Sequence, residues 1–488
     1  MNLALLVESH DGEAPAMHDG SRFQSWGEVR RRAAGVADAL QHAGVRPGDR
    51  VGLAWPTSVE FVAAYLAVLA TGAVAVPLNP NSPASELAGE LASLSPTVVL
   101  AGGNARAALA GGPVAGAPVL DEMAPPASED HLVVVERRPE DLAVLLFTSG
   151  TAGAPRAAML SHGNLVANLR QMLDLPGEIS RPDDVGLAAV PLFHIFGLNV
   201  ALGLALATGA ALVLEERFDA AASLESARRL GVTNLLGAPA MFAAWADLPG
   251  ADEGALAGVR RAISGAADLP AEVASRFEKR FGVTVWQGYG LTEASPAVCT
   301  ALGTGRHRPG SVGRPLPGVA VRVVDDAGVD VLDGDPGEVW VRGPNVFAGY
   351  WDDPAATAEV LDAEGWLHTG DIGVIGEDGD MFIVDRQKDL VIVSGFNVFP
   401  AEVENVARAV PGVLDAVVVG RPDATTGECI ELVVLASPGA GVTEEALRRA
   451  CAASLARYKC PTTIRFVDEL PRGLTGKALR RVLRDQSG

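Results

Sequence analysis

The segment FTSGTAGAPRAAMLSH, residues 147–162, combines small residues, hydroxyl groups and a cation in a pattern suited to phosphate binding. An apolar strand leads into a loop rich in Gly, Ser and Thr, and the pattern then runs towards a helix. Small residues let backbone N–H groups approach phosphate oxygens closely, the hydroxyls add donors, and Arg156 adds a positive charge. The spacing differs from that of the GxxxxGK[ST] phosphate loop. The residues alone therefore leave two interpretations, a phosphate-binding loop or a simple turn.

A second segment, WQGYGLTEASP at residues 286–296, offers groups that suit a nucleotide. The ring of Tyr289 is flat and suited to stacking on a purine. A carboxylate beside nucleotide phosphates is a natural magnesium ligand, which Glu293 supplies, and Thr292 adds a hydroxyl. The alternative is structural: a strand, a turn and a helix whose N-terminal dipole favours Glu293.

Three further segments carry charged groups. Residues 365–373, GWLHTGDIG, place Asp371 in a predicted loop, where its carboxylate accepts from vicinal hydroxyls or organises its own turn. Residues 385–404 begin with the charged run DRQKD, which is also typical of a surface linker. Residues 471–484 place Lys477 at the start of a predicted basic amphipathic helix, for which a solvated face is the structural alternative.

The elements that must hold these residues alternate between amphipathic helices and short β-branched strands. Predicted strands cover residues 142–148, 283–286 and 319–324, and predicted helices cover residues 29–43 and 222–230. This alternation predicts an α/β fold of layered sheets and helices. A second domain is predicted after the run DRQK, so that residues 1–387 form the N-terminal domain and residues 388–488 a small α+β domain.

Composition narrows the classes of function. The formal net charge of −21 repels nucleic-acid phosphates, so no nucleic-acid partner is expected. The four cysteines form no CxxC pair and the eight histidines no HExxH pattern, which argues against a disulfide framework or a zinc site. The N-terminal segment MNLALLVESHDGEAP lacks the basic start of a signal peptide, and we expect a cytoplasmic protein.

Two apolar stretches, residues 61–77 and 195–214, need an explanation because their length approaches that of a membrane span. Both are rich in Ala and Gly, both contain a Thr-Gly interruption, and neither has flanking Lys/Arg clusters. We predict for each a buried helix, a Thr-Gly turn and a buried strand, and therefore no membrane span.

Taken in order, the five segments resemble the adenylate-forming superfamily of acyl-CoA synthetases, peptide-synthetase adenylation domains and luciferases. The resemblance covers nearly the whole chain and leans towards fatty-acyl-CoA synthetases through QGYGLTEASP, PLFHIFG and VSGFNVFPAEVE. It implies a large N-terminal domain of layered sheets and helices with a small mobile C-terminal lid. It also implies that ATP and a carboxylic acid give an acyl-adenylate, which coenzyme A converts to acyl-CoA and AMP.

The resemblance assigns most of the ATP site residue by residue. Over the phosphates it places Thr148, Ser149, Gly150, Thr151 and Arg156. Along the nucleotide it places Gly265, Ala266, Ala267, Gly288, Tyr289, Gly290, Leu291 and Thr292. Glu293 is the implied magnesium ligand, and Asp371, helped by Arg386, is implied to hold the ribose hydroxyls.

The resemblance also implies a moving lid that lets one site serve two steps. Lys388 occupies the hinge position, and Lys477 matches the lysine that bridges the substrate carboxylate and the α-phosphate during adenylation. After rotation of the lid, the loop SGFN, which contains Gly395 and Phe396, would face the pantetheine of coenzyme A. Direct catalytic roles are implied for Lys477, Glu293, Thr148 and His194.

The acyl pocket is implied to border PLFHIFG, where His194 lies between Phe193 and Phe196. The candidate lining residues include no Arg or Lys and are mostly small or aliphatic: His194, Gly197, Leu198, Ala238, Met241, Gly265 and Gly288. Such a pocket disfavours a second carboxylate and favours an apolar tail, for which the glycines leave room. A medium- or long-chain fatty acid is the expected substrate, and an aryl acid is the alternative.

One segment departs from the family pattern, which usually reads T-G-x-P-K-G where residues 152–157 read AGAPRA. Arg156 keeps the charge of the lysine but changes its shape, and Ala157 adds a methyl group beside the loop. We expect altered pyrophosphate release rather than loss of function. Two other functions stay open: a ligase that loads a separate acyl carrier protein, and an inactive acyl- or nucleotide-binding protein.

Overall fold

The computed structural model describes residues 1–110, 114, 116–148, 156–386, 389–393, 396–423, 426–473 and 478–486. The chain forms two compact units. The first comprises Met1–Val321 and Val341–His368, and the second comprises Arg322–Trp340 and Thr369–Gly488. The domain boundary predicted between residues 387 and 388 stays a prediction, and both of those residues lie outside the described ones.

Short strands and helices alternate along both units. In the described residues the strands are β1 (Pro15–His18), β2 (Phe23–Ser25), β3 (Arg50–Ala54), β4 (Val74–Pro77), β5 (Val98–Ala101), β6 (Val119–Leu120), β7 (Leu142–Thr148), β8 (Arg156–Ser161), β9 (Val185–Ala188), β10 (Ala211–Leu214), β11 (Asn234–Gly237), β12 (Arg261–Ser264), β13 (Val285–Gly290), β14 (Ala297–Thr300), β15 (Arg314–Pro315), β16 (Ala320–Val324), β17 (Gly337–Arg342), β18 (Leu367–Ile375), β19 (Met381–Arg386), β20 (Val391–Val393), β21 (Phe396–Val398), β22 (Val413–Asp423), β23 (Gly427–Ala436) and β24 (Thr463–Val467). The α-helices there are α1 (Trp26–His42), α2 (Val59–Ala70), α3 (Ala84–Leu94), α4 (Gly103–Ala108), α5 (His162–Leu173), α6 (Gly203–Thr208), α7 (Ala220–Leu230), α8 (Pro239–Asp247), α9 (Ala271–Phe281), α10 (Pro354–Val360), α11 (Pro400–Arg408), α12 (Glu444–Ser454) and α13 (Arg480–Asp485). A π-helix spans Phe196–Leu202, and 3-10 turns span Leu3–Val7, Glu253–Leu256, Thr292–Ala294 and Arg457–Lys459.

The first unit contains two large sheets. As far as the structure describes the chain, one sheet has nine strands in the order β15-β14-β13-β12-β11-β9-β10-β1-β2 and the other six in the order β6-β5-β3-β4-β7-β8. In the first sheet β1 and β9 to β13 run parallel to one another. The carboxyl ends of these strands therefore lie at one edge, where ligands of open α/β sheets usually bind.

Both apolar stretches fold as the sequence predicts. Residues 61–77 lie in α2, a Thr-Gly turn and β4, and residues 195–214 lie in the π-helix, α6, a second Thr-Gly turn and β10. Their residues are largely buried in the first unit. Within the described residues, no helix is both long enough and apolar enough to cross a bilayer.

Local signals explain where two important helices begin. The side chain of Ser25 accepts from the N–H of Glu28 and the carboxylate of Glu28 accepts from the N–H of Ser25, so α1 starts earlier than residue 29. Ser161 and Asn164 form the same reciprocal arrangement at the start of α5, directly after β8. This cap fixes the end of the strand that carries Arg156.

The second unit has the α+β composition that the sequence predicts for the C-terminal region. One sheet has the order β16-β17-β18-β19, and another has the order β21-β20-β23-β22, with β24 also paired to β23. The helices α11 and α12 pack on one face of the latter sheet through Val403, Ala407, Leu447 and Cys451. A charged residue, Glu404, is also buried in this unit, with 4% of the residue exposed.

Candidate active site

The antiparallel strands β7 and β8 precede and follow, along the chain, the loop predicted to bind phosphate. Thr148 and Arg156 are register partners across the hairpin, and the hydroxyl of Thr148 donates to the carbonyl of Arg156 at 3.4 Å. Ser149, Gly150 and Thr151 lie outside the described residues. The sequence predicts that the loop runs towards a helix, but the chain first forms β8, whose residues Arg-Ala-Ala-Met-Leu also suit a helix.

Arg156 lies in an acidic and aromatic environment. Its Nε is 3.5 Å from a carboxylate oxygen of Asp353 and its Nη1 is 3.9 Å from Glu359. The guanidinium also lies over the ring of Tyr350, 5.6 Å from the centroid. Neighbouring Ala157 is buried in the core beside the six-stranded sheet, so its methyl group is part of the core packing.

Glu293 is held by a segment that the sequence interpretation did not single out. The hydroxyl of Tyr350 donates to Oε1 of Glu293 at 2.8 Å, and the N–H of Phe347 donates to its carbonyl at 2.8 Å. The same segment pairs with β8, since the N–H of Met159 donates to the carbonyl of Gly349 at 2.9 Å. The hint in the sequence was the polar and aromatic content of GPNVFAGYW, residues 343–351, after an apolar strand.

Four buried amide side chains hold the turn that follows Glu293. They belong to Asn168, Gln171, Asn199 and Asn345. Amide groups of Asn345, Asn199 and Asn168 donate to the carbonyls of residues 294, 295 and 297 at 2.9, 2.7 and 2.8 Å, respectively. Gln171 joins this network by donating to the amide oxygen of Asn345 at 3.3 Å. Buried amides need partners. The signal in the sequence was the spacing of Asn168 and Gln171, three residues apart on one side of the predicted helix.

The turn after Glu293 leads into a strand, which corrects the helix considered for residues 286–296. A 3-10 turn, Thr292–Ala294, is followed by β14, which runs antiparallel to β13. Pro296 has no N–H and disfavours the helical conformation of the residue before it, which opposes a helix here. Gly290 lies where the two strands come close: a Cβ at this position would be 2.2 Å from the carbonyl oxygen of Pro296.

The residues expected along the nucleotide come together at the sheet edge. Ser264 of β12 and Gln287 of β13 are register partners, so Gly265, Ala266 and Ala267 follow one strand beside the neighbouring strand that carries Gly288, Tyr289 and Gly290. Leu291 and Thr292 continue directly from β13. The role of these residues in binding the nucleotide stays a prediction.

His194 lies in the segment after β9, at the same edge of the nine-stranded sheet. Its Nδ1 accepts from the N–H of Phe196 at 3.3 Å, which orients the ring. The ring of Phe196 packs on Gly265, where an added Cβ would be 3.1 Å from it. A Cβ at Gly197 would be 2.1 Å from the carbonyl oxygen of Pro191. These glycines therefore permit close packing of the protein itself, whereas the sequence interpretation read the small residues, Gly265 among them, as room for a substrate.

In the second unit, the predicted loop around Asp371 is instead a strand. Asp371 lies in β18, 4% exposed, and is the register partner of Arg386 in β19. Its N–H donates to the hydroxyl of Thr369 at 3.1 Å. The sequence Thr-Gly-Asp is typical of a turn, but pairing with β19 gives these residues the conformation of a strand. The two residues expected to act on the ribose thus have adjacent backbones.

The remaining predicted site residues of the second unit lie between Lys388 and Lys477. Lys388, Gly395 and Lys477 lie outside the described residues, and Phe396 begins β21 opposite Val393. The predicted helix after Lys477 corresponds to α13, which begins at Arg480.

In the first unit, the arrangement fits a metal-bound phosphate. Magnesium keeps several waters and typically takes one or two carboxylates together with substrate phosphates. Glu293 offers such a carboxylate, which accepts from the hydroxyl of Tyr350, and Arg156 adds a positive charge over the Tyr350 ring. A magnesium ion held there would neutralise negative charge on phosphate oxygens.

Comparison with known proteins adds independent information. The AMP-binding enzyme family matches residues 7–351, and the AMP-binding enzyme C-terminal domain matches residues 402–477. The chain is 37% identical to a feruloyl-CoA synthase from an Amycolatopsis species, covering 97% of this chain and 96% of that protein. It is 32% identical to a long-chain-fatty-acid–CoA ligase from Escherichia coli O157:H7, covering 99% of this chain and 94% of that protein. The ATP-bound crystal structure of MatB from Rhodopseudomonas palustris is similar with a TM-score of 0.93 and 34% identity, covering 99% of this chain and 98% of that one.

Proposed function

The chain belongs to the AMP-binding enzyme family and is an AMP-forming acid–CoA ligase, and we propose that it activates a monocarboxylic acid with an apolar tail. The family match and the similarity to MatB confirm the adenylate-forming fold, with its large N-terminal and small C-terminal domains. The ATP-bound state of MatB supports ATP as the nucleotide. Magnesium and coenzyme A belong to the proposal.

The observation that carries the proposed site is the contact of Tyr350 with both Glu293 and Arg156. It gathers a carboxylate suited to magnesium and a cation suited to phosphate around one ring, next to the β7–β8 hairpin. The substrate carboxylate attacks the α-phosphorus of ATP, pyrophosphate leaves, and the acyl-adenylate forms. The thiol of coenzyme A then attacks the acyl carbon and AMP leaves. Two anions must meet in the first step, so positive groups are needed where charge builds up.

The proposed roles divide between the two steps. Lys477 acts on the substrate carboxylate and the α-phosphate, Arg156 acts on the phosphates, and Asp371 holds the ribose hydroxyls. Lys388 is the proposed hinge, because Lys477 must leave the α-phosphate before pantetheine can approach the acyl group. Coenzyme A is the proposed acceptor, and a separate acyl carrier protein is the alternative.

The acyl tail is proposed to be a medium- or long-chain fatty acid. The segment after β9, which is expected to border it, is apolar, and Ile195, Phe196 and Leu198 are buried. An uncompensated second carboxylate would be costly in such surroundings. An aryl acid is the second candidate, which the packing of Phe196 on Gly265 and the identity to a feruloyl-CoA synthase favour.

A competition experiment tests the nature of the tail. Decanoate, decanedioate and ferulate are offered together with ATP, magnesium and coenzyme A, and the thioesters are quantified by mass spectrometry. We expect decanoyl-CoA to dominate, and decanedioate to react at least tenfold more slowly, because its second carboxylate loses hydration without gaining a partner. Dominance of feruloyl-CoA would establish the aryl alternative. Efficient use of decanedioate would contradict an apolar tail site.

Arg156→Lys is expected to leave the adenylation rate within about threefold of the parent enzyme, or to raise it. Lysine keeps the positive charge, and the distances of 3.5 and 3.9 Å from Arg156 to Asp353 and Glu359 indicate that the planar fork is not tightly engaged. In Arg156→Ala, the matched comparison, the adenylation rate is expected to fall at least tenfold. The exchange of labelled pyrophosphate into ATP, which depends on the carboxylic acid substrate, measures the adenylation rates of both variants. Complete loss in Arg156→Lys would show that the guanidinium has a role of its own.

A further inference from the structure

Among the hydrogen bonds that residues 345–350 donate to Glu293 and the turn after it, three involve residues 293 and 294. The amide of Asn345 donates to the carbonyl of Ala294 at 2.9 Å, and the N–H of Phe347 donates to that of Glu293 at 2.8 Å. The third contact is to the Glu293 side chain, from the hydroxyl of Tyr350 at 2.8 Å. The first two of these contacts hold the backbone, and the third holds the carboxylate.

The Tyr350 hydroxyl is well placed to donate to a carboxylate. Tyr350 is 8% exposed, and a phenol ordinarily has a pKa of about 10. The phenol therefore stays protonated throughout the physiological range and remains a donor. Hydrogen bonds from a neutral donor to an ionised acceptor are stronger than those between neutral groups.

Tyr350 is itself held rigidly. Its N–H donates to the hydroxyl of Thr357 at 2.9 Å, and its ring packs edge-on against Phe347 with centroids 5.0 Å apart. Its backbone also forms a β-bridge with Ala158 of β8. The guanidinium of Arg156 covers the ring at 5.6 Å. The hydroxyl therefore has a fixed position relative to both Glu293 and the strand that carries Arg156.

We propose that Tyr350 is a positioning residue that sets the orientation in which the Glu293 carboxylate receives magnesium. A carboxylate can rotate and present either oxygen, and the bond to Oε1 fixes this rotation before the metal–nucleotide complex arrives. Partners of this kind behind a metal ligand typically affect metal affinity by 10–100-fold. The inference rests on the proposed function, in which Glu293 holds the metal.

Tyr350→Phe removes the hydroxyl and keeps the ring, so the packing against Phe347 and Arg156 is retained. The measurement is the equilibrium dissociation constant of ATP, determined by calorimetry with and without magnesium. The ratio of the two constants reports the metal-dependent gain in affinity. We expect this gain to fall roughly tenfold or more in Tyr350→Phe, while the affinity for ATP without magnesium stays within about twofold. Tyr65→Phe, which removes a hydroxyl buried in α2, is the matched control and is expected to keep the full gain.

Glu293→Gln separates failure of this inference from failure of the proposed function. If Glu293→Gln keeps the metal-dependent gain, Glu293 does not hold the metal and the proposed site is wrong. If Glu293→Gln loses the gain but Tyr350→Phe keeps it, the site stands and the role of Tyr350 is refuted. The double variant, Tyr350→Phe with Glu293→Gln, adds a second test, in which the metal-dependent gains of different variants are compared. It should match Glu293→Gln alone, whereas additive losses would show that Tyr350 acts independently of Glu293.

Discussion

Replacing Lys477 with alanine is expected to slow acyl-adenylate formation about 10²–10³-fold and to leave thioester formation from supplied acyl-adenylate nearly unchanged. In the first step, the substrate carboxylate and the α-phosphate are both negative, and a positive group between them is needed as charge builds up. In the second step, rotation about the proposed hinge at Lys388 would carry Lys477 away from the α-phosphate. Its removal should then matter little.

The composition of the chain sharpens this expectation. Lysine is scarce here, with four residues among 39 basic ones: Lys279, Lys388, Lys459 and Lys477. Two of these four stand at the positions that the family resemblance assigns to the hinge and to adenylation. A compact ammonium group with three rotatable donors suits a position that must contact two different oxyanions.

The two half-reactions are measured separately for Lys477→Ala. Pyrophosphate release with acid and ATP follows the first, and conversion of synthetic acyl-adenylate with coenzyme A follows the second. Lys279→Ala, which removes an exposed lysine of α9, serves as the control and should leave both rates unchanged. Equal losses in both half-reactions would mean that Lys477 is not the adenylation lysine.

Glu404→Ala is expected to destabilise the second unit by about 3–5 kcal/mol, the range typical of breaking a buried ion pair by removing one partner. Oε1 of Glu404 accepts from the N–H of Val418 at 2.8 Å and from Nη2 of Arg480 at 2.5 Å. Oε2 accepts from Arg408 at 3.2 Å. The carboxylate thus joins α11, β22 and α13, and its loss leaves two largely buried guanidinium groups with fewer acceptors.

Native-state hydrogen exchange of the β22 amides measures this loss of stability within the second unit. A global melting temperature would combine the unfolding of both units and is therefore less suitable. Glu445→Ala is the matched control, because Glu445 and Arg449 form an exposed pair with side chains 80% and 72% accessible. Exposed pairs contribute about 0–1 kcal/mol. A loss for Glu404→Ala as small as that of the control would contradict a stabilising role for this carboxylate.

Local signals allowed much of the fold to be predicted from the sequence. The strand at residues 142–148 coincides with β7, and both apolar stretches fold as helix, turn and strand. These predictions depend on periodicity and on Thr-Gly turns, which neighbouring residues determine. Asp371 was misplaced because its partner strand, β19, begins ten residues further along the chain.

The contacts of the candidate site were harder to predict for the same reason. Tyr350 is 57 residues from Glu293, and Asn345 is 51 residues from Ala294. No spacing rule relates such positions, so the sequence indicated which groups could do chemistry but not which groups hold them. The glycines illustrate the same limit: Gly265 is covered by a distant ring, that of Phe196, which only the fold brings there.

The most direct test of the account is the release of pyrophosphate and AMP from ATP, with decanoate as the acid, in the presence and absence of coenzyme A. We predict that coenzyme A raises both rates together and that one acyl-CoA forms for each AMP. Pyrophosphate release that does not respond to coenzyme A, but rises with a phosphopantetheinylated carrier protein, would contradict coenzyme A as the acceptor. Formation of ADP and phosphate instead of AMP and pyrophosphate would contradict the adenylate mechanism itself.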